Sequence, residues 1–218
     1  GPSLANYRNY LGMIGANSEE MKSDAYYNMG YANLYLGDTV SAIENFRTYE
    51  QRKPMNKQKL GDVYMRLADS YFMRRDNPSA IKYYDLAIQS NVSNQDQALY
   101  YKALTLGVEN DKNGKIKALL DIVNNHSKSK YLQDALYEIA FSYKLLPDYD
   151  KALQYFNQLL TDYPNPKKDA DIHIEIADIY YKQNNYKKSE QEYLLVLEKY
   201  NYESVCGAVG DGLQNVFA

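Results

Sequence analysis

Several things are missing from these 218 residues. There is no tryptophan and one cysteine, Cys206, so the chain cannot close a disulfide on itself. There are two histidines, His126 and His173. His126 shares a column with Tyr163 and Tyr200, which suits packing, and His173 with Glu175 lacks metal-ligand spacing. No apolar run approaches the roughly 20 residues needed to span a bilayer. Twenty-five basic and 28 acidic residues leave a net charge of −3 with no basic stripe, which argues against nucleic acid as a partner. The glycine-rich stretch Gly207 to Gly212 lacks the Gly-Lys-Ser/Thr that a phosphate loop requires and reads as a mobile or capping helix. Asp111 to Gly114 lacks the spaced carboxylates of a calcium loop and reads as a plain turn. No nucleophile–base pair stands out, so neither enzymatic activity nor a cofactor or metal is expected.

What is present is periodic. In residues 133–164 two amphipathic helices are legible, about 133–145 and 149–161, joined at Leu146-Pro147-Asp148. Leu136, Ile139, Ala140 and Tyr143 recur at three- and four-residue steps, as do Ala152, Leu153, Phe156, Leu159 and Leu160. Pro147 cannot continue the first helix. A short connection makes the helices antiparallel neighbours.

The unit recurs. Ala42, Ala80, Lys115, Ala152 and Ser189 open successive second helices at steps of 38, 35, 37 and 37 residues. Twelve residues earlier stand Gly30, Ala68, Ala103, Ala140 and Ala177. Four residues later stand Phe46, Tyr84, Leu119, Phe156 and Tyr193. Asn33, Tyr71, Leu106, Tyr143 and Tyr180 form another column in the first helices. Lone hairpins of this size cannot bury their apolar face, so copies must stack. Lys115 breaks the small column and implies looser packing or a less certain register there. The 25 tyrosines are expected to replace Phe and Leu in the core with their hydroxyls at the rim, or in part to line a groove.

These columns, with Pro54 and Pro164 as closing prolines, resemble the tetratricopeptide repeat family over nearly the whole chain. The departures are a step longer than the usual 34 residues or so, Lys115 in a small position, and His173 where the family often has Trp. The resemblance implies an all-α fold, a right-handed α-solenoid of antiparallel helix pairs. The implied organisation is a tag remnant (1–2), the second helix of a truncated repeat (3–17), five repeats (18–56, 57–94, 95–130, 131–167, 168–203) and the first helix of a truncated or capping repeat (204–218). Ala208, Leu213 and Val216 are expected to pack back on the fifth repeat.

In that family, first helices line a concave face that binds partner segments. Carried onto this sequence, the face comprises Tyr27, Tyr31, Leu34, Met65, Asp69, Phe72, Tyr100, Leu104, Tyr137, Phe141, Lys144, Ile174, Asp178 and Tyr181. Asp24, Asp62, Asp134 and Asp171 fall at the helix starts, where a carboxylate favours the helix dipole. An aromatic and acidic face without the family's Lys and Asn clamp points away from a free C-terminal carboxylate. It points toward another protein or an extended peptide segment with apolar and basic side chains. The alternative is a passive spacer or self-association module. Asp162-Tyr163-Pro164 and Ala135-Leu136-Tyr137 are similar to bacterial envelope members of the family, which implies a periplasmic or outer-membrane-associated setting. A cytoplasmic adaptor is the alternative.

Overall fold

The computed structural model describes residues 4–13, 19–90, 94–200 and 202–217, with side chains omitted for 202–208 and 217. The described residues form twelve α-helices and no strand: α1 (Leu4–Met13), α2 (Glu19–Tyr35), α3 (Thr39–Gln51), α4 (Lys57–Met73), α5 (Asn77–Gln89), α6 (Gln95–Val108), α7 (Lys112–Asn125), α8 (Leu132–Leu145), α9 (Tyr149–Asp162), α10 (Asp169–Lys182), α11 (Tyr186–Lys199) and α12 (Tyr202–Phe217). They fall into two compact units, residues 1–111 and 112–218. The fold is an all-α helical repeat.

In the first unit α2 packs on α3 and α4 on α5, and α3–α4 and α5–α6 contacts join the successive pairs. Its core is built from Ala42, Phe46, Tyr49, Val63, Leu67, Ala68, Ala80 and Tyr84. In the second unit α8 packs on α9 and α10 on α11, α7 packs on α8, and α12 lies against α11 and α10. Its core holds Leu136, Ala140, Ala152, Phe156, Leu159, Ile172 and Ile176. Val209 is fully buried with Ala177, Tyr193 and Val196, and Leu213 and Val216 pack against them. The Gly207 to Gly212 stretch thus lies within a packed terminal helix. Ala208 and the Cys206 side chain fall outside the described residues.

The small–large pairing has a direct steric cause. A Cβ added to Gly30 would sit 2.4 Å from the Phe46 ring. One added to Gly212 would sit 2.2 Å from the Tyr193 ring. Each glycine is where a buried ring meets helix backbone.

The turns recur as strictly as the cores. The backbone N–H of Asp38, Asp76, Asp111, Asp148 and Asn185 each donates to a carbonyl five residues back, on Asn33, Tyr71, Leu106, Tyr143 and Tyr180, at 2.8–3.0 Å. That bond satisfies a helix-terminal carbonyl. Gly37, Arg75, Asn110 and Asn184, the residues just before, take positive φ. Four of these polar residues then cap the next helix. Asp38 accepts from Ser41 N–H, Asp76 from Ser79, Asp148 from Lys151 and Asn185 from Lys188. Lys115 stands four residues after Asp111, as each small residue stands four after its own cap, so the register holds there. Its ammonium is accommodated by Glu138 on α8 at 2.6 Å.

Candidate functional site

The residues expected to form the face lie in α2, α4, α6, α8 and α10, and the structure sorts them into two kinds. In α8, Tyr137 and Phe141 lie one turn apart with rings stacked, centroids 6.3 Å apart and 6° from parallel. Tyr137 also meets the buried Phe156 edge-on at 5.8 Å, and the Lys168 ammonium sits 4.0 Å from the Tyr137 ring centre. In α2, Tyr27 and Tyr31 are half-buried, 5.1 Å apart, and Tyr31 stands perpendicular on Phe46 at 5.5 Å. Leu34 packs partly buried beside them. Phe72 is exposed, and Tyr100, Leu104 and Tyr181 are half-buried. Tyr181 packs against Tyr186 at 5.6 Å.

The second kind is committed inward. Met65, expected on this face, is 5% exposed and belongs to the core. Ile174 packs against the buried cluster of Ala177, Tyr193, Val196 and Val209. Asp69 accepts from the buried Tyr84 hydroxyl (2.9 Å) and from Arg66 (2.9 Å). Asp178 accepts from the buried Tyr193 hydroxyl and from Lys144 (2.8 Å), whose ammonium also reaches Glu175. These carboxylates neutralise buried donors before any ligand arrives.

Asp24 and Asp62 also differ from expectation. Asn56 caps α4 through Lys59 N–H, so the helix starts at Lys57 and Asp62 lies well past its first turn. Asp62 accepts from Tyr27 (2.9 Å) and Tyr31 of α2, the first helix of the preceding pair. Likewise α2 opens with Glu19 and Glu20, and Asp24 pairs with Lys59 at 2.7 Å. Asp134 and Asp171 do stand in the first turns of α8 and α10.

The electrostatics follow this wiring. Burial and the carboxylate of Asp69 push the Tyr84 hydroxyl above its ordinary range, and burial with Asp178 does the same to Tyr193. Burial raises Asp69, against the pull of Arg66 and Tyr84. For Lys144, burial opposes the charge, but its bonds to Asp178 and Glu175 hold the pKa above the ordinary value. Some of the tyrosine hydroxyls expected at the rim are instead paired inside, Tyr83 with Glu50 (3.1 Å) as well as Tyr84 and Tyr193, while the half-buried Tyr200 donates to Asp169. A buried hydroxyl needs a partner, and a first helix supplies the carboxylate for Tyr84 and Tyr193, the second helix α3 for Tyr83.

His173 Nδ1 lies 2.7 Å from Glu192 Oε2, with Asp169 3.8 Å from its Nε2. Among the described residues no group of three or more His, Cys, Asp or Glu is placed to hold a metal, and no helix is long and apolar enough to cross a membrane.

Antiparallel hairpins interlocked through small and large columns define a helical-repeat protein. Family models described as tetratricopeptide repeat match residues 24–53 and 148–202. Among solved structures, MamA (residue 41 to the end) from Desulfovibrio magneticus RS-1 aligns with a TM-score of 0.64 at 14% identity, over 81% of this chain and 94% of that one. PilF of Pseudomonas aeruginosa aligns at 0.61 and 21% identity, over 92% and 86%. YrrB, described as a TPR protein with an unusual peptide-binding site, aligns at 0.66 and 14% identity, over 90% and 93%. No curated protein matches the chain in sequence. The two matched segments and the shared fold support the tetratricopeptide repeat family, whose members mediate protein–protein interaction and are generally not enzymes.

Proposed function

We propose that the chain is a non-enzymatic scaffold that holds an extended segment of another protein against its first-helix faces. The observation that carries this reading is the Tyr137–Phe141 shelf on α8, two stacked, half-buried rings of which Tyr137 rests edge-on against the buried Phe156. Rigid aromatic area binds at low entropic cost. The fold shared with YrrB, described as having a peptide-binding site, supports a peptide-like occupant.

The occupant's chemistry follows from which groups remain free. Asp69 and Asp178 are occupied by Tyr84, Arg66, Tyr193 and Lys144. Asp134 and Asp171, in the first turns of α8 and α10, flank the shelf as acceptors. A segment with apolar side chains for the rings and one or two basic ones for these acids fits best, and a free C-terminal carboxylate does not.

Capture of partners by the full-length native protein from its own cells tests this. The Tyr137→Ala, Phe141→Ala double variant should lose the partner while its circular dichroism stays unchanged. A partner set untouched by the double change would leave this segment a spacer or self-association module. Collapse of the fold would place both rings in the core. We further propose a bacterial envelope setting, on the Asp162-Tyr163-Pro164 and Ala135-Leu136-Tyr137 motifs. Fractionation of cells expressing the native protein tests it, with recovery in the cytosol as the contrary result.

A further inference from the structure

One exposed position recurs at the turn of every hairpin. Two residues before the residue of positive φ stand Tyr35, Met73, Val108, Leu145 and Lys182. Three of them belong to the first unit, where Tyr35 is 92%, Met73 70% and Val108 64% exposed. The turns themselves do not need these side chains. They close on hydrogen bonds, and the place where an apolar contact often completes such a turn holds Asp38, Asp76 and Asp111. A helix C-terminus favours a cation. Lys182 shows that one serves at this position, yet the first unit places an apolar side chain there three times.

These side chains share one edge. Each short connection reverses the chain, so α2, α4 and α6 end on the same side of the first unit. Asn77 at the start of α5 donates to Glu109 at 2.7 Å, which ties the α4–α5 turn to the end of α6. Leu36 and Val40, also exposed, widen the edge at the α2–α3 turn. Its charges are unevenly spent. Asp38 and Asp76 cap α3 and α5, and Glu109 holds Asn77. Arg74 and Arg75 are exposed, and among the described residues their guanidiniums take part in no ion pair or hydrogen bond.

Apolar side chains beside two free guanidiniums call for acidic and apolar chemistry, opposite in charge to what suits the α8 shelf. Two cations fall short of the roughly four to eight that hold a segment to an anionic bilayer. We propose that this edge of the first unit docks a segment of a partner protein that carries both apolar and acidic side chains. The apolar ones cover Tyr35, Met73 and Val108, and the carboxylates accept charge-assisted hydrogen bonds from Arg74 and Arg75. The α10–α11 turn holds Lys182, Gln183 and Asn184 in the places of Met73, Arg74 and Arg75, so it lacks the apolar side chain and both guanidiniums.

The test follows the methyl resonances of Met73 and Val108 in the whole chain. The probe is a synthetic amphipathic peptide of leucine and glutamate, with the leucine–lysine peptide of the same pattern and phosphatidylserine vesicles as controls. Saturable shifts with the glutamate peptide and none with the controls are expected, unchanged in the Tyr137→Ala, Phe141→Ala variant. Met73→Lys with Arg74→Gln and Arg75→Asn gives this turn the side chains of the α10–α11 turn. That triple variant should keep its thermal midpoint and weaken the glutamate peptide about tenfold, read at Val108. The proposal is overturned by methyls unmoved by the glutamate peptide, by equal shifts with the lysine peptide, or by undiminished binding in the triple variant. Shifts with vesicles would make the edge a membrane contact instead. Self-association of the native chain in sedimentation velocity, abolished in the triple variant, would make it an interface between copies. Loss of fold in the triple variant would also overturn it, because these side chains would then serve the repeat itself.

Discussion

The α2–α3 and α8–α9 hairpins solve the same packing problem differently from α4–α5 and α10–α11. In the first two the large position of the second helix is Phe, and rings from the first helix stand on it: Tyr31 on Phe46 and Tyr137 on Phe156. In the other two the large position is Tyr, and the residue one step past the small column is Asp, which takes the buried hydroxyl: Tyr84 to Asp69 and Tyr193 to Asp178. One added oxygen in the second helix thus dictates a carboxylate fifteen residues earlier. Where the large residue is Phe, the same place in the first helix is free to be aromatic, as Tyr31 and Phe141 are. The comparison teaches that residues at this place in the first helix are of two sorts, acids that take a buried hydroxyl and aromatics that pack on a buried ring or beside one.

The apolar hairpins should be broken most severely by removing the ring. Phe156→Ala should lose about 3–5 kcal/mol in a denaturant melt, as large-to-small core changes do. A loss under about 1 kcal/mol would reject Phe156 as the centre of its hairpin. Gly30→Ala should cost about 1–3 kcal/mol, because the added methyl meets the buried Phe46 ring and neither can withdraw. If it proves neutral by the same melt, the close approach of α2 and α3 does not depend on that glycine.

The polar hairpins should differ in acid. Burial opposes ionisation of Asp169, but hydrogen bonds from Lys199 and Tyr200 prevail and hold its pKa below the ordinary 3.8. A carboxylate lowered in the folded state contributes stability above its unfolded pKa and loses it as pH falls through 3.8 and below. Asp169→Asn should therefore flatten the fall in stability in that window while lowering stability at neutral pH. Unfolding followed by circular dichroism across that range checks both. Asp69, raised by burial, has the opposite sign: acidification through its folded pKa favours the fold.

Most of the helical framework was legible because it rests on one-dimensional periodicity. The spacing of Ala140, Leu136, Phe156 and Leu159 predicts α8 and α9 to within a residue. The turns were only half legible. The Asp or Asn recurring four residues before each small position caps the next helix in four of the five repeats, and neither the helix period nor the small and large columns reveals it. The face was the least legible part. Asp69 and Tyr84 stand in two columns that reveal nothing when read singly, and only a pairing fifteen residues apart, across a turn, shows the carboxylate as internal. The start of α4 was misplaced because Asn56 caps it well before the repeat's first small residue, which moved Asp62 off the helix end. Met65 was placed outward by family analogy, whereas it packs into the core.

The most direct test of this division is a urea-unfolding cycle on the α4–α5 hairpin with Asp69→Leu, Tyr84→Phe and the two together. Each single change should destabilise, Asp69→Leu by about 1–3 kcal/mol because it leaves the Tyr84 hydroxyl buried without an acceptor. The double variant reproduces the apolar wiring of the α8–α9 hairpin and should recover most of that loss. Strictly additive losses would contradict the account, because Asp69 would then not be there to serve Tyr84.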